Sequence, residues 1–180
     1  MKLLAALLAL FLCLGTAVAS TDANTLLARG ESEAAHNGKN VIVIFHASWC
    51  GWCHKLAQFL TNDDFQKTFA RNYAIVHIDV LENADKKNFE TPGGAELSKK
   101  LGADHQGLPF YVILDYKGNR LIDSRNPASP DAKGNPQNIG FPAKPEEIAY
   151  FMTILKTTGR KFKPDDLTKI EAALKNQKDD

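Results

Sequence analysis

Excess charge of one sign is what this sequence lacks first: 22 lysines and arginines face 21 aspartates and glutamates. Such a balance excludes a nucleic acid or an anionic membrane as a partner held by bulk charge. Cysteine is scarce, with three in 180 residues, which excludes a small fold stapled by several disulfides. Methionine is scarcer, with two. Long apolar runs are also missing, since none reaches the ~20 residues of a bilayer-spanning helix. No internal repeat is visible.

The longest apolar stretch, Leu3 to Val18, follows Met1-Lys2 and overlaps Ala17-Val18-Ala19. A short positive start, an apolar middle and an A-x-A site read as a secretory signal peptide over residues 1–19. Retention of the segment as an anchor is the other reading. Leu12 stands before Cys13, where bacterial lipoprotein signals have a small residue, so Cys13 leaves with the signal. Cleavage leaves a single domain, residues 20–180, in which 21 basic residues balance 21 acidic ones. Its compartment is periplasmic or extracellular, where disulfides persist, and it meets the membrane only in transit. Two cysteines remain, Cys50 and Cys53. A bridge between them closes so small a loop that it constrains the unfolded chain little. Pairing of these two points to a reaction rather than to a structural staple.

Around the pair the chain alternates between helix and strand patterns. Asn24 to His36 reads as a helix ending near Gly38, and Val41 to Phe45 is an unbroken apolar run typical of a strand buried on both faces. From the cysteines onward Trp52, Leu56, Phe59 and Leu60 fall on one helical stripe. Thr61-Asn62-Asp63 interrupts it and caps a second helical piece, Asp64 to Arg71. Ala74 to Val80 is a second buried strand, Glu82 to Gly94 a polar loop, and Ala95 to Leu101 a short helix. Phe110 to Leu114 and Arg120 to Asp123 are strands joined by an Asp115–Asn119 turn. Ser124 to Lys144 holds four prolines and reads as a surface excursion. Glu146 to Thr157 and Asp165 to Asn176, with Pro164 ahead of the latter, are amphipathic helices. The expected fold class is α/β: a mixed central sheet with helices on both faces, plus C-terminal helices. Two helix-bridged strand pairs predict parallel neighbours, and the hairpin predicts an antiparallel edge.

The strand at Val41–Phe45 leads to Cys50, where a helix begins. A helix N-terminus presents unpaired N–H groups and the positive end of the macrodipole. There a thiol loses its proton more readily, and the thiolate is the form that attacks disulfides. Cys50 is therefore expected to be the exposed attacking sulfur, and Cys53, one turn in, the shielded resolving one.

"FHASWCGWCHKL" together with "GLPFYVILDYKGN" resembles the thioredoxin superfamily, in particular secreted bacterial thioredoxin-like proteins with a Trp-Cys-x-x-Cys motif. The resemblance covers about residues 41–123, leaving residues 124–180 as a C-terminal extension. It implies a cis-proline loop facing the cysteines, carried here by Leu108 and Pro109, which shields the pair and offers backbone groups to a substrate chain. Two departures stand out. Cytoplasmic thioredoxins have a buried aspartate six residues before the first cysteine, where this sequence has Ile44, and their accompanying lysine is replaced by Ile75. Proton transfer at Cys53 must then use another group or water, and Glu82, just past the second buried strand, is a candidate.

Cys50-x-x-Cys53-His54 also matches the attachment signature of c-type haem. Haem needs His54 as one axial ligand and a second, for which Met152 is the methionine left beyond the signal. A zinc or copper site could draw on Cys50, Cys53 and His54, with His46 or His105 as a fourth ligand. The reading retained is an exported thiol–disulfide oxidoreductase that works through Cys50 and Cys53 in the reductive direction. It uses no cofactor or metal and acts on protein thiols and disulfides, with a membrane relay supplying electrons. Metal or haem binding through Cys50, Cys53 and His54 is the alternative. Trp49 is expected to pack against the fold beside the thiolate. Trp52 is either a contact for an apolar substrate segment or plain helix surface, and His54 a modulator of Cys53 or a solvated side chain. Residues 82–94 and 124–144 are the segments expected to set client choice.

Overall fold

The computed structural model describes residues 21–177, so the signal-peptide reading over residues 1–19 lies outside the described residues. Six helices and six strands follow one another along the chain. Helix α1 (Ala23–Asn37) starts where the Asp22 carboxylate accepts the N–H groups of Asn24 and Thr25, and it stops at Gly38, whose φ of 58° suits a residue without a side chain. Strand β1 (Asn40–His46) follows, then α2 (Gly51–Thr61), α3 (Gln66–Asn72) and β2 (Tyr73–Asp79). After α4 (Gly94–Lys100) come β3 (Phe110–Leu114), β4 (Arg120–Asp123), β5 (Arg125–Pro130) and β6 (Pro136–Asn138). Helices α5 (Pro145–Thr158) and α6 (Pro164–Lys175) complete the order.

The main sheet runs β2-β1-β3-β4. Strand β1 is central, and the alternation of side chains along it splits the core in two. Val41, Val43 and Phe45 point to one face with Leu27 and Ala34 of α1 and Leu97 of α4. Ile42 and Ile44 point to the other with Leu56, Phe59 and Leu60 of α2, Phe69 of α3, Phe151 and Leu155 of α5 and Ile170 of α6. Helices thus cover both faces, as expected. The residues Val41 to Phe45 are all at most 4% exposed, and burial of each such side chain contributes roughly 1.5–3 kcal/mol.

Three expectations need correction. Only β1 and β2 are parallel; β3 lies on the other side of β1 and runs antiparallel to it, with Phe45 opposite Phe110. Strand β2 ends at Asp79 opposite His46 and β3 starts at Phe110 opposite Phe45, so the link between them returns to the end of the sheet that it left, and β3 runs back along β1. Second, the polar loop 82–94 contains a 3₁₀ helix, Ala84–Phe89. Third, the proline-rich excursion is an ordered hairpin, β5 paired with β6, whose ends bury Ser124, Asn126, Ile139 and Phe141. Its prolines sit on a two-stranded ribbon, where a missing N–H need not break a ladder.

Among the described residues no helix is long and apolar enough to cross a membrane.

Candidate active site

Cys50 and Cys53 form a disulfide with Cα atoms 5.2 Å apart. Cys50 is the N-cap of α2, extended at φ −86°, and its Sγ accepts the backbone N–H of Cys53 at 3.2 Å. The N–H groups of Cys53 and His54 also reach the Cys50 carbonyl. In the reduced protein the same N-terminal groups favour negative charge on Cys50 Sγ over the neutral thiol. The expected contrast in exposure is absent, since both cysteines are 5% exposed. Leu108 packs against the cluster of Ala47, Cys50 and Cys53. The two differ in position instead: Cys50 caps the helix and Cys53 lies inside its first turn.

The Leu108–Pro109 peptide is cis, as the resemblance implied, and Pro109 is buried. Sequence reasoning missed what holds this loop. The Asn138 side-chain amide at the end of β6 donates to the carbonyls of Gly107 (2.6 Å) and Pro109 (3.0 Å), and its Oδ1 accepts the N–H of Gly140. The proline-rich hairpin thus fastens the loop from both sides of Leu108. Nothing local in the sequence marks this, because 31 residues separate Asn138 from Gly107.

The two tryptophans flank the pair without being buried. Trp49, expected to pack against the fold beside the thiolate, is 52% exposed and is tethered by its indole N–H, which donates to the Leu81 carbonyl at 2.7 Å. Leu81 has a φ of 56°, so the turn after β2 adopts an uncommon conformation for a leucine. Trp52 stacks on Phe141 at 6.2 Å and 21°, with Lys55 Nζ 4.9 Å above its ring. Trp52, Leu108, Ile139 and Phe141 line an open groove beside the disulfide. His54 is exposed, and its Nε2 pairs with the Ser48 carbonyl at 2.9 Å. His105, in the loop before Pro109, is exposed beside Asp104.

Glu82 is buried and accepts two hydrogen bonds from Ser48, from the backbone N–H (2.5 Å) and the hydroxyl (2.7 Å). The Ser48 hydroxyl, then its N–H, hold the carboxyl below its ordinary range. Glu82 therefore anchors the turn ahead of Cys50 as a carboxylate. A carboxyl whose folded pKa lies below its unfolded value of about 4.3 stabilises the fold fully above that value. The contribution disappears as pH falls through the folded pKa. Chemical unfolding measured from about pH 6 to about pH 3 is expected to show E82Q less stable at the upper end, with a shallower decline below about pH 4. Parallel curves for E82Q and the unaltered protein would show that Ser48 does not hold a charge there.

Both sulfurs of the pair are occupied with each other, and among the described residues no three His, Cys, Asp or Glu side chains form a metal-holding group.

A family model described as thioredoxin-like matches residues 22–115. A protein disulfide-isomerase of Hordeum vulgare is 30% identical over 87 residues, 48% of this chain and 16% of that protein. The chain thus spans a small part of that relative's length. Among solved structures, a disulphide isomerase from Xylella fastidiosa Temecula1 is 25% identical over 57% of this chain and 73% of that one, with a TM-score of 0.47. The C-terminal domain of DsbD from Neisseria meningitidis, in the oxidised form, is 24% identical over 58% and 83%, with a TM-score of 0.42.

Proposed function

Because the chain belongs to the thioredoxin-like family, we propose that it is a thiol–disulfide oxidoreductase acting on protein clients through Cys50 and Cys53. The observation that carries this reading is the Cys50–Cys53 disulfide at the N-terminus of α2, with Leu108 of the cis-proline loop packed against it. In the reductive direction the Cys50 thiolate attacks one sulfur of a client disulfide and expels the other client sulfur as a thiolate. Cys53, deprotonated, then attacks Cys50 Sγ and expels the second client thiolate. Two electrons pass to the client, and the chain is left with the bridge seen here.

Client recognition is assigned to the groove beside the bridge. Leu108 offers its backbone to an extended client segment, Trp52 and Phe141 offer apolar surface, and Trp49 closes the opposite side. The apolar start at residues 1–19 supports export, and the whole of residues 20–180 acts as one unit. In an exported compartment the electrons come from a membrane relay, and neither a nucleic acid nor a bound cofactor takes part.

The reduction potential of the Cys50/Cys53 pair, titrated against glutathione, tests the direction. A reductant is expected to lie near about −270 mV, as thioredoxin does. A value near about −120 mV would replace reduction with disulfide insertion, and one near about −180 mV with isomerisation. A pair that never equilibrates with glutathione would remove the oxidoreductase reading.

A further inference from the structure

The chemistry above, on whose reading this inference rests, needs a base for Cys53, and Ile44 fills the place where the resemblance puts an acid. A cleft of about 260 Å³ shows what stands there instead. It is lined by Ile44, His46, Ser48, Cys53, His54, Ala57, His77 and Asp79, and Cys50 does not reach it. Side chains alternate along a strand, so residues 44 and 46 of β1 face the same side, toward α2. Strand β2 is in register beside them, with His77 opposite Ile44 and Asp79 opposite His46. The polar groups of this face are thus displaced by one inward-facing position from Ile44, and they share the cleft with the resolving cysteine alone.

Within the cleft the imidazole of His46 has two unlike sides. Its Nδ1 lies 3.3 Å from Asp79 Oδ1. A carboxylate beside one ring nitrogen favours the tautomer with the proton on that nitrogen and leaves the other with a free lone pair. That other atom, Nε2, is buried and has no hydrogen-bond partner among the described residues. Unpaired buried polar atoms are uncommon and call for an explanation. His46 and the resolving Cys53 line the same cleft.

We propose that His46, oriented by Asp79, takes the proton from the Cys53 thiol when Cys53 resolves the mixed disulfide. The S–H bond of Cys53 breaks, the proton goes to His46 Nε2, and the S–H electron pair forms the new bond to Cys50 Sγ. The client thiolate leaves with the electron pair of the old disulfide. The imidazolium then returns the proton to solvent. In the oxidising direction the same nitrogen hands the proton back. His46 is the base, and Asp79 a positioning residue.

The charged and titratable neighbours agree with that role. Burial, the larger effect, and the neighbouring His54 of α2 hold His46 below its ordinary range, while Asp79 and Glu82 pull it upward. Its ring is therefore neutral and able to accept a proton near neutral pH. Asp79 is itself raised by burial and by Glu82, against the pull of His46. His77 stands edge-on to His46 at 5.1 Å and 84°, and its own titration is pushed down by burial first and by His46 second.

Oxidised glutathione tests the assignment. Reduced protein is mixed with it, quenched in acid at intervals, and analysed by mass. The first phase, attack by Cys50, appears as a glutathionylated protein; the second, attack by Cys53, as its conversion to the internal disulfide. In the unaltered protein the second phase is expected to rise with pH through an inflection below about 6.5. H46Q is expected to leave the first phase unchanged and to slow the second by about 10²-fold near neutral pH. Its second phase should then rise only through the thiol's own ionisation near about 8.5. Adding Ile44→Asp to H46Q returns a base to the same wall, and should recover at least about tenfold of the lost rate. A second phase in H46Q with unchanged rate and profile would overturn the proposal. Should H46Q fail to fold, the unaltered protein decides: a second phase that rises only near about 8.5 would equally overturn it. Absence of the first phase in the unaltered protein would instead remove the oxidoreductase reading, and this proposal with it.

Discussion

Cys53→Ser is expected to leave the protein covalently attached to its clients. A serine hydroxyl cannot displace a thiolate from Cys50 Sγ, so the mixed disulfide waits for an external thiol. Well-oriented intramolecular groups have effective molarities of about 10⁵–10⁸ M, far above the millimolar concentration of any added thiol. Release of client should therefore slow by at least about 10³-fold, visible as a thiol-sensitive adduct by mass or on a non-reducing gel. Cys50→Ser is expected to give no adduct and no turnover, since Cys50 caps α2 where a thiolate is favoured and Cys53 sits inside the first helical turn. Client release by Cys53→Ser at the unaltered rate would show that the bridge is not a catalytic pair. Adducts on Cys53 in the Cys50→Ser protein would reverse the two roles.

Phe151→Ala is expected to destabilise the fold by about 3–5 kcal/mol, the range for truncating a large buried aromatic. Phe151 is 1% exposed and meets the ring of Tyr111 edge-on at 6.1 Å and 89°. It belongs to the same buried cluster as Ile44 and Ile113 of the sheet, Leu56 of α2 and Ile170 and Leu174 of α6. The midpoint of urea unfolding should fall at an unchanged slope. The position of Phe151 bears on where the domain ends. The resemblance stops near residue 123, yet α5 and α6 supply one wall of the core, so residues 124–177 are expected to unfold with the rest. Two separate unfolding transitions, with Phe151→Ala shifting one of them, would divide the chain into two units.

Legibility from sequence followed the range of the forces involved. Strand β1 and helix α2 were legible because their signals are local: five consecutive apolar residues, then a stripe at helical spacing behind two cysteines. The sheet's two faces were legible for the same reason. The direction of β3 was not, because it depends on the path of the chain from Val80 to Phe110. The hairpin of β5 and β6 was hidden by prolines that read as loop. Trp49 was expected against the fold beside the thiolate; its tether, the indole N–H on the Leu81 carbonyl, was not legible, and a ring tied at its polar edge can stay half in water. The polar cleft under Cys53 was invisible for a further reason. Its members come from β1, α2 and β2, and only strand register places His46 opposite Asp79.

Asn138 has a consequence for anyone wishing to watch the protein at work. Its amide ties the hairpin to the carbonyls on either side of Leu108, while the hairpin's far tip closes on itself. There the Asp131 carboxylate accepts the N–H groups of Lys133 and Asn135, and Gly134 takes the positive φ of 83° that the turn requires. The tip neither touches the cysteines nor adds to the core. A fluorophore attached at exposed Lys133 would therefore sit on the end of a lever whose fulcrum grips the Leu108–Pro109 loop. Arrival of a client could be followed there as an optical signal without altering either sulfur.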